Sequence, residues 1–102
     1  MKVGGRVGAI LGSNEDGSIG FFGYGVYEGD FIPTEAAGLL ATIARELGHK
    51  NPRLKMDDGS IVYGCECWWG PEGRVRMLLE NKIVNSVSIN DIRNKYKEEN
   101  AL

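Results

Sequence analysis

The sequence predicts an α+β fold with the element order ββαββαβ, a mainly antiparallel, coiled sheet or partial barrel that carries two helices. Three observations lead to this prediction. Nine of the fifteen glycines precede residue 30, where Val, Ile, Phe and Tyr residues indicate a glycine-rich hairpin. A second apolar hairpin surrounds Asp58-Gly59, a favoured two-residue turn. Residues 34–47 and 71–81 carry apolar side chains at helical spacing.

The composition predicts one domain over residues 1–102. The hydrophobic fraction of 42% and the charged fraction of 25% are those of ordinary globular proteins. The formal net charge of -2 provides no excess of basic residues for strong binding of nucleic acid. The longest apolar runs are far shorter than the roughly 20 residues that cross a bilayer, and no apolar signal region follows Met1. We therefore expect a cytoplasmic protein that is not bound to a membrane.

The first hairpin pairs residues 5–12 with residues 18–27 around a turn at 13–17. Glycine inside a strand usually marks a bulge, sharp coiling or the close approach of another group. We favour coiling over a ligand that lies against bare backbone. Tyr24 and Tyr27 are candidate binding residues, because they belong to a strand that is aromatic on both faces. Such a strand also favours a homo-oligomer.

The two predicted helices have recognisable ends. Thr34 is the predicted N-cap of the first helix, and Gly48 stops it. The predicted core face of this helix consists of Ala36, Leu40, Ile43, Ala44 and Leu47. Pro71 begins the second helix, and a strand follows at 83–89. Residues 91–102 are predicted to form a terminal helix or a frayed tail.

The Asp58-Gly59 turn sets the predicted register of the second hairpin. The predicted pairs are Asp57 with Ser60, Met56 with Ile61, and Leu54 with Tyr63. A continuous strand over 60–69 then places both cysteines and Trp69 on the apolar core face. Trp68 faces the opposite side, where it contacts a covering element, another chain or a ligand.

No catalytic or metal-binding signature is present in the sequence. Cys65 and Cys67 are the only cysteines and His49 is the only histidine, which is too few for the four ligands that structural zinc normally takes. An apolar core face raises the pKa of a thiol and so disfavours a nucleophile. We predict no catalytic residue, no metal and no cofactor, and we keep a thiol-dependent enzyme as the least favoured alternative.

The main candidate binding site is the junction between the two tryptophans and the second helix. The candidate ligand-binding residues at this junction are Glu66, Trp68, Trp69, Arg74 and Arg76. An exposed Trp offers a surface on which a ligand stacks, and a helix N-terminus with nearby arginines attracts an anion such as a nucleotide. The alternative is a packing Trp with two solvated arginines, because Glu72 already occupies the favourable position at the helix dipole.

Two segments, 23–30 (GYGVYEGD) and 64–72 (GCECWWGPE), resemble parts of short, uncharacterised proteins of bacteria and their phages. No activity is assigned to those proteins, so the resemblance implies only a small cytosolic or phage-encoded protein, and a phage origin favours binding over catalysis. We therefore expect a non-enzymatic binding module that holds a small anionic ligand. The alternative is a protein-interaction adaptor or phage accessory protein that docks on a host protein through the Trp68 face.

Overall fold

The computed structural model describes residues 1–100, which form an α+β domain around one sheet. The strands are β1 (Arg6–Ser13), β2 (Ile19–Phe31), β3 (Asn51–Met56), β4 (Ile61–Tyr63), β5 (Trp68–Pro71) and β6 (Val84–Ser86). The helices are α1 (Leu39–Leu47), α2 (Glu72–Leu79) and α3 (Ile89–Glu99), with a 3₁₀ turn at Gly64–Glu66 between β4 and β5. The predicted α+β class is confirmed. The predicted order ββαββαβ is wrong, since the order over these residues is ββαβββαβα.

The long strand β2 is the centre of a sheet with the order β4-β3-β2-β1-β5. One edge of β2 pairs with β1, and the other edge is shared by β3 and the short β6. All pairs are antiparallel except β2 with β6. The predicted first hairpin is confirmed, with the N–H of Asn14 donating to the carbonyl of Ser18 across its turn. β4 and β5 lie at the two opposite edges of the sheet and do not pair with each other. The sheet within residues 1–100 is therefore open and not a partial barrel.

The second hairpin is present, but its predicted register is wrong by one residue. The N–H of Met56 donates to the carbonyl of Ser60 at 2.8 Å, so the loop consists of residues 57–59. The last of them, a glycine, has a φ of 92°, as expected when a third residue completes a hairpin loop. Leu54 consequently lies opposite Val62 and not, as predicted, opposite Tyr63.

The predicted strand 60–69 is broken after Tyr63 by the 3₁₀ turn. The carboxylate of Glu66 accepts the N–H of Tyr63 at 3.0 Å, so the chain curls inward instead of extending. β5 therefore leaves β4 and pairs with β1 on the far edge of the sheet. The two cysteines do not share the core face as predicted. Both are partly buried, Cys67 against the core and Cys65 at the surface.

The first helix is shorter than predicted. It begins at Leu39, because Gly38 has a φ of 105° and interrupts helical geometry before it. Thr34 is not the N-cap, and its hydroxyl lies 3.3 Å from the hydroxyl of Tyr63. The predicted stop is confirmed, since Gly48 adopts the left-handed conformation with a φ of 69°.

Of the predicted core face of the first helix, Ala36 and Ala44 are buried, whereas its larger side chains are exposed. Ala41 and Ala44 are the buried residues of the helix, which packs beside the 3₁₀ turn. Leu40, Ile43 and Leu47 are 73%, 42% and 66% exposed. The small alanine side chains allow close packing on one side, and the larger apolar side chains point to solvent.

The later elements differ from prediction mainly at their ends. α2 directly follows Pro71 and ends at Leu79, close to the predicted range 71–81. β6 covers only three residues of the predicted strand 83–89, because Ile89 begins α3 and enters the core. α3 occupies most of the predicted terminal segment 91–102, of which residues 101–102 lie outside the described part.

The main core and α2 lie on opposite faces of the sheet. The core cluster consists of Val7, Ala9, Phe22, Leu54, Met56, Val62 and Ile89. Since Ile89 belongs to α3, this helix covers the core face. α2 packs on the other face, where a Cβ at Gly8 would lie only 2.7 Å from the Cγ1 of Val75. Gly8 therefore provides room for α2, in addition to any role in coiling.

We predict that Gly8→Ala lowers the free energy of unfolding by about 1–3 kcal/mol, as expected for overpacking. Gly70 is the matched control, because it pairs directly with Gly8 and a Cβ there would meet no atom within 4 Å. Gly70→Ala should change stability by less than about 0.5 kcal/mol. Urea unfolding measures both, and Val75→Ala should recover part of the loss in the Gly8→Ala background. Equal losses of stability for Gly8→Ala and Gly70→Ala would contradict the close packing of Val75 against Gly8.

Candidate functional site

A buried ion pair between Glu66 and Arg93 joins the 3₁₀ turn to α3. The Nε and Nη2 atoms of Arg93 donate to the two carboxylate oxygens at 2.8 and 2.7 Å. The backbone N–H groups of Tyr63 and Ala37 donate to the same carboxylate at 3.0 and 2.9 Å. The Glu66 side chain is 0% exposed. Glu66 was predicted to bind a ligand on the outer face, but the structure places it in the interior with four donors on its carboxylate.

The two tryptophans of β5 have different environments. Trp68 is 76% exposed. Trp69 is partly buried and stacks on Tyr27, with ring centroids 5.7 Å apart and an interplanar angle of 18°. The hydroxyl of Tyr27 donates to Asp30 at 2.7 Å, and this hydrogen bond raises the pKa of Tyr27. Trp69 and Tyr27, both candidate ligand-binding residues, therefore pack on each other, whereas Trp68 presents its ring to the outside.

The two candidate arginines of α2 are separated in the structure. Arg74 lines a groove beside Trp68. Arg76 lies elsewhere, with its guanidinium carbon 4.3 Å from the centre of the Tyr24 ring and one nitrogen 3.2 Å from Glu72. The structure thus brings Arg74 to the exposed tryptophan and pairs Arg76 with the candidate residue Tyr24.

The N-terminus of α2 already carries a paired carboxylate. Glu72 lies in the first turn and accepts hydrogen bonds from Arg76 at 3.2 Å and from Arg6 at 3.3 Å. Arg6 also donates twice to Asp57, and it lowers the pKa of both carboxyl groups. The positive end of the helix dipole and the nearby guanidinium groups therefore stabilise the protein's own carboxylate, in the place where a bound anion would sit.

Trp68 lies between two surface grooves, and a third groove continues along α1. The α2 groove, of about 140 Å³, is lined by Ile10, Trp68, Trp69, Arg74, Val75 and Leu78, among others. The central groove, of about 390 Å³, is lined by Leu11, Leu40, Cys65 and Trp68, among others. The α1 groove, also of about 390 Å³, is lined by Leu40, Ile43, Leu47, Lys50 and Cys65, among others. Because neighbouring grooves share Trp68 or the pair Leu40 and Cys65, they form one continuous surface.

We name the large exposed apolar side chains of this surface the apolar band. They are Leu11, Leu40, Ile43, Leu47, Trp68 and Leu78, which are between 36% and 76% exposed. Arg74 lines the groove at one end of the band, and Lys50 lines the groove at the other end. Both are exposed, and neither forms an ion pair with another residue in the range 1–100. The band is therefore apolar along its length and positive at both ends.

The two cysteine thiols are not activated. Burial and the neighbouring Glu66 carboxylate raise the pKa of Cys65. The same two causes raise the pKa of Cys67 to about 12. Among the described residues, no three His, Cys, Asp or Glu side chains come together as a set of metal ligands. The arrangement offers neither a thiolate nucleophile at neutral pH nor a built metal site.

Sequence reasoning missed most of the apolar band. It identified Trp68 and Arg74, but it assigned the leucines of α1 to the core and gave no role to Leu11 or Lys50. A usable signal was present in α1, because the helix has a small-residue side at Ala41 and Ala44 as well as its leucines. A helix that is apolar on an alanine side and also on a leucine side has more apolar surface than packing against a single neighbouring element can cover.

The chain has no significant match among family models, curated proteins or solved structures. None of the helices within residues 1–100 has both the length and the apolar character needed to cross a bilayer. The function has to be inferred from the geometry and chemistry of the surface itself.

We predict that Arg93→Ala lowers the free energy of unfolding by about 3–5 kcal/mol, because it leaves a buried carboxylate without its counter-charge. Arg74→Ala is the control, since Arg74 is an exposed arginine without an ion pair in the described residues. It should cost less than about 1 kcal/mol. Chemical denaturation measures both, and similar losses for the two variants would contradict the importance of the buried pair.

We predict that iodoacetamide at pH 8 modifies Cys65 faster than Cys67. With the pKa of Cys67 near 12, as its burial implies, the thiolate fraction is on the order of 10⁻⁴. Cys67 should therefore react about 100-fold or more slowly than free cysteine. The variants Cys65→Ser and Cys67→Ser isolate each thiol, and mass spectrometry follows the reaction. A Cys67 rate equal to that of free cysteine would show that this thiol is not buried.

Proposed function

We propose that the protein is a non-enzymatic binding module that docks a segment of another protein on the apolar band. The observation that carries this proposal is the exposed Trp68 at the centre of a continuous apolar surface. Contiguous apolar patches at a protein surface, especially those rimmed by polar residues, typically mark interaction sites. Trp is also enriched among the residues that contribute most to binding energy at interfaces.

The shape of the surface supports a macromolecular ligand over a small anionic one. Pockets for small molecules commonly enclose about 300–1,000 Å³, whereas the α2 groove beside Arg74 has about 140 Å³. The two larger grooves are lined mainly by apolar side chains and carry a single basic end at Lys50. Arg76, which the small-anion hypothesis also requires, is paired with Glu72 on another part of the surface.

The chemistry of the surface supports binding over catalysis. Both thiols have raised pKa values, so neither is a good nucleophile at neutral pH. The buried carboxylate of Glu66 is held by Arg93 and by backbone donors, so it is not positioned as a general base for a bound substrate. The lining of the three grooves is mainly apolar, and the removal of such a surface from water stabilises a complex.

The proposal predicts that Trp68 is close to the partner inside cells. A photoreactive amino acid at position 78, which lines the α2 groove together with Trp68, should crosslink a discrete protein, whereas the same amino acid at position 83 should not. Ile83 is the matched control, because it is 73% exposed and lies outside the band. The crosslinked protein is then purified and its affinity is measured with the intact chain.

Trp68→Ala should weaken that affinity about 30-fold or more, as expected for a central Trp at an interface. Met77→Ala should leave the affinity unchanged, since Met77 is 71% exposed but lies outside the grooves. A partner whose affinity is insensitive to Trp68→Ala, or equal crosslinking from positions 78 and 83, would refute the proposal.

A further inference from the structure

We infer that the segment docked on the apolar band is an amphipathic helix with acidic residues at both ends of its apolar face. This inference rests on the proposed function and specifies the chemistry of the partner. Its basis is the distribution of charge, since Arg74 and Lys50 line the two ends of the surface. The lining carboxylate between them, that of Glu66, is buried and neutralised by Arg93. The exposed charges of the lining are therefore basic.

The arrangement of the grooves fits successive anchors on one face of a helix. Trp68 lines both the α2 groove and the central groove. Leu40 and Cys65 line both the central groove and the α1 groove. A helix seated on this surface places side chains at positions such as i, i+3 or i+4, and i+7 into consecutive grooves, which is a common mode of peptide recognition.

An extended strand fits this surface less well. Strand addition obtains its affinity from backbone hydrogen bonds to a free sheet edge, and the edge nearest the band is β5. This strand has four residues, and the last of them, Pro71, has no N–H to donate. The surface beyond β5 is built from side chains of α1, which offer no ladder of backbone groups.

A second copy of the chain is also a poor occupant, because of the charges at the ends of the band. Symmetric dimers bring the same patch of both copies together. If the apolar bands of two copies pack against each other in parallel, Lys50 of one copy meets Lys50 of the other, and Arg74 meets Arg74. When the direction is reversed, Lys50 meets Arg74. Both arrangements oppose like charges, whereas a segment with acidic ends pairs with both basic side chains.

An anionic membrane surface is disfavoured by the shape and the charge of the site. Electrostatic adsorption to lipid relies on clusters of basic residues, commonly four to eight. The band has two, and the chain as a whole has a net charge of -2. Its apolar surface is grooved around Trp68 and suits projecting side chains better than a plane of headgroups.

The test is a selection of peptides against the full-length chain. A displayed library of amphipathic helices has its apolar face varied among large apolar residues, and each flanking position encodes Glu or Lys with equal frequency. We expect the selected peptides to carry Glu at both ends. Surface ion pairs are modest in strength, so each Glu should improve Kd about two- to fivefold over Lys, and less so at high salt.

Charge reversal in the protein assigns the effect to particular residues. Lys50→Glu and Arg74→Glu should each reverse the preference at one end of the peptide, from Glu to Lys. Lys55→Glu is the matched control, because Lys55 is exposed on β3 and does not line the grooves. It should leave the preference unchanged at both ends. Fluorescence anisotropy with labelled peptides measures every Kd.

The outcomes separate this inference from the proposed function. Selected peptides that lose affinity with Trp68→Ala but show no preference for Glu would overturn the acidic helix and leave the docking function intact. A selection in which no peptide depends on Trp68 would overturn both. Binding of the chain to vesicles rich in phosphatidylserine, without any Trp68-dependent peptide, would replace the protein partner with a lipid surface. Band-dependent peptides that bind in an extended conformation by circular dichroism would overturn the helix.

Discussion

The buried pair of Glu66 and Arg93 is the interaction on which the rest of the structure depends. It connects the turn after β4, the backbone at Ala37 before α1, and α3. Buried ion pairs contribute little net stability, because desolvation offsets much of the attraction, but a carboxylate that needs four donors is satisfied by one arrangement of the chain. By ending β4 at Tyr63, this arrangement sends β5 to the opposite edge of the sheet, and so it places Trp68 between α1 and α2.

The apolar band is assembled from elements that each use only part of their apolar surface within the domain. Among the large apolar residues of α2, Val75 is buried and Leu78 is exposed, while α1 buries two alanines and exposes its leucines. Covering both helices completely would require another layer, and a chain of this size buries only about two-thirds of its unfolded surface. Part of the remaining apolar surface lies together around Trp68, as the six exposed side chains of the apolar band.

Some features that follow from local sequence patterns were predictable from the sequence, whereas features that depend on distant residues were not. The hairpin of β1 and β2 and the end of α1 at Gly48 follow from local patterns, and both are present. The register of the second hairpin failed because Asp58-Gly59 is also compatible with a three-residue loop. The break in the predicted strand 60–69 has its cause in Arg93, which is 27 positions from its partner. Similarly, periodicity identified the leucine side of α1 but not whether anything covers it.

The alanine packing of α1 has a consequence for the dynamics of the free protein. A helix held by few buried side chains opens locally at a lower free energy than the whole domain unfolds. A ligand seated on its leucines binds the closed helix and not the open one, so it shifts that local equilibrium by mass action. Amide protons of α1 therefore exchange with solvent at a rate that reports whether the surface is occupied, while those of the central strand β2 report only on the integrity of the domain.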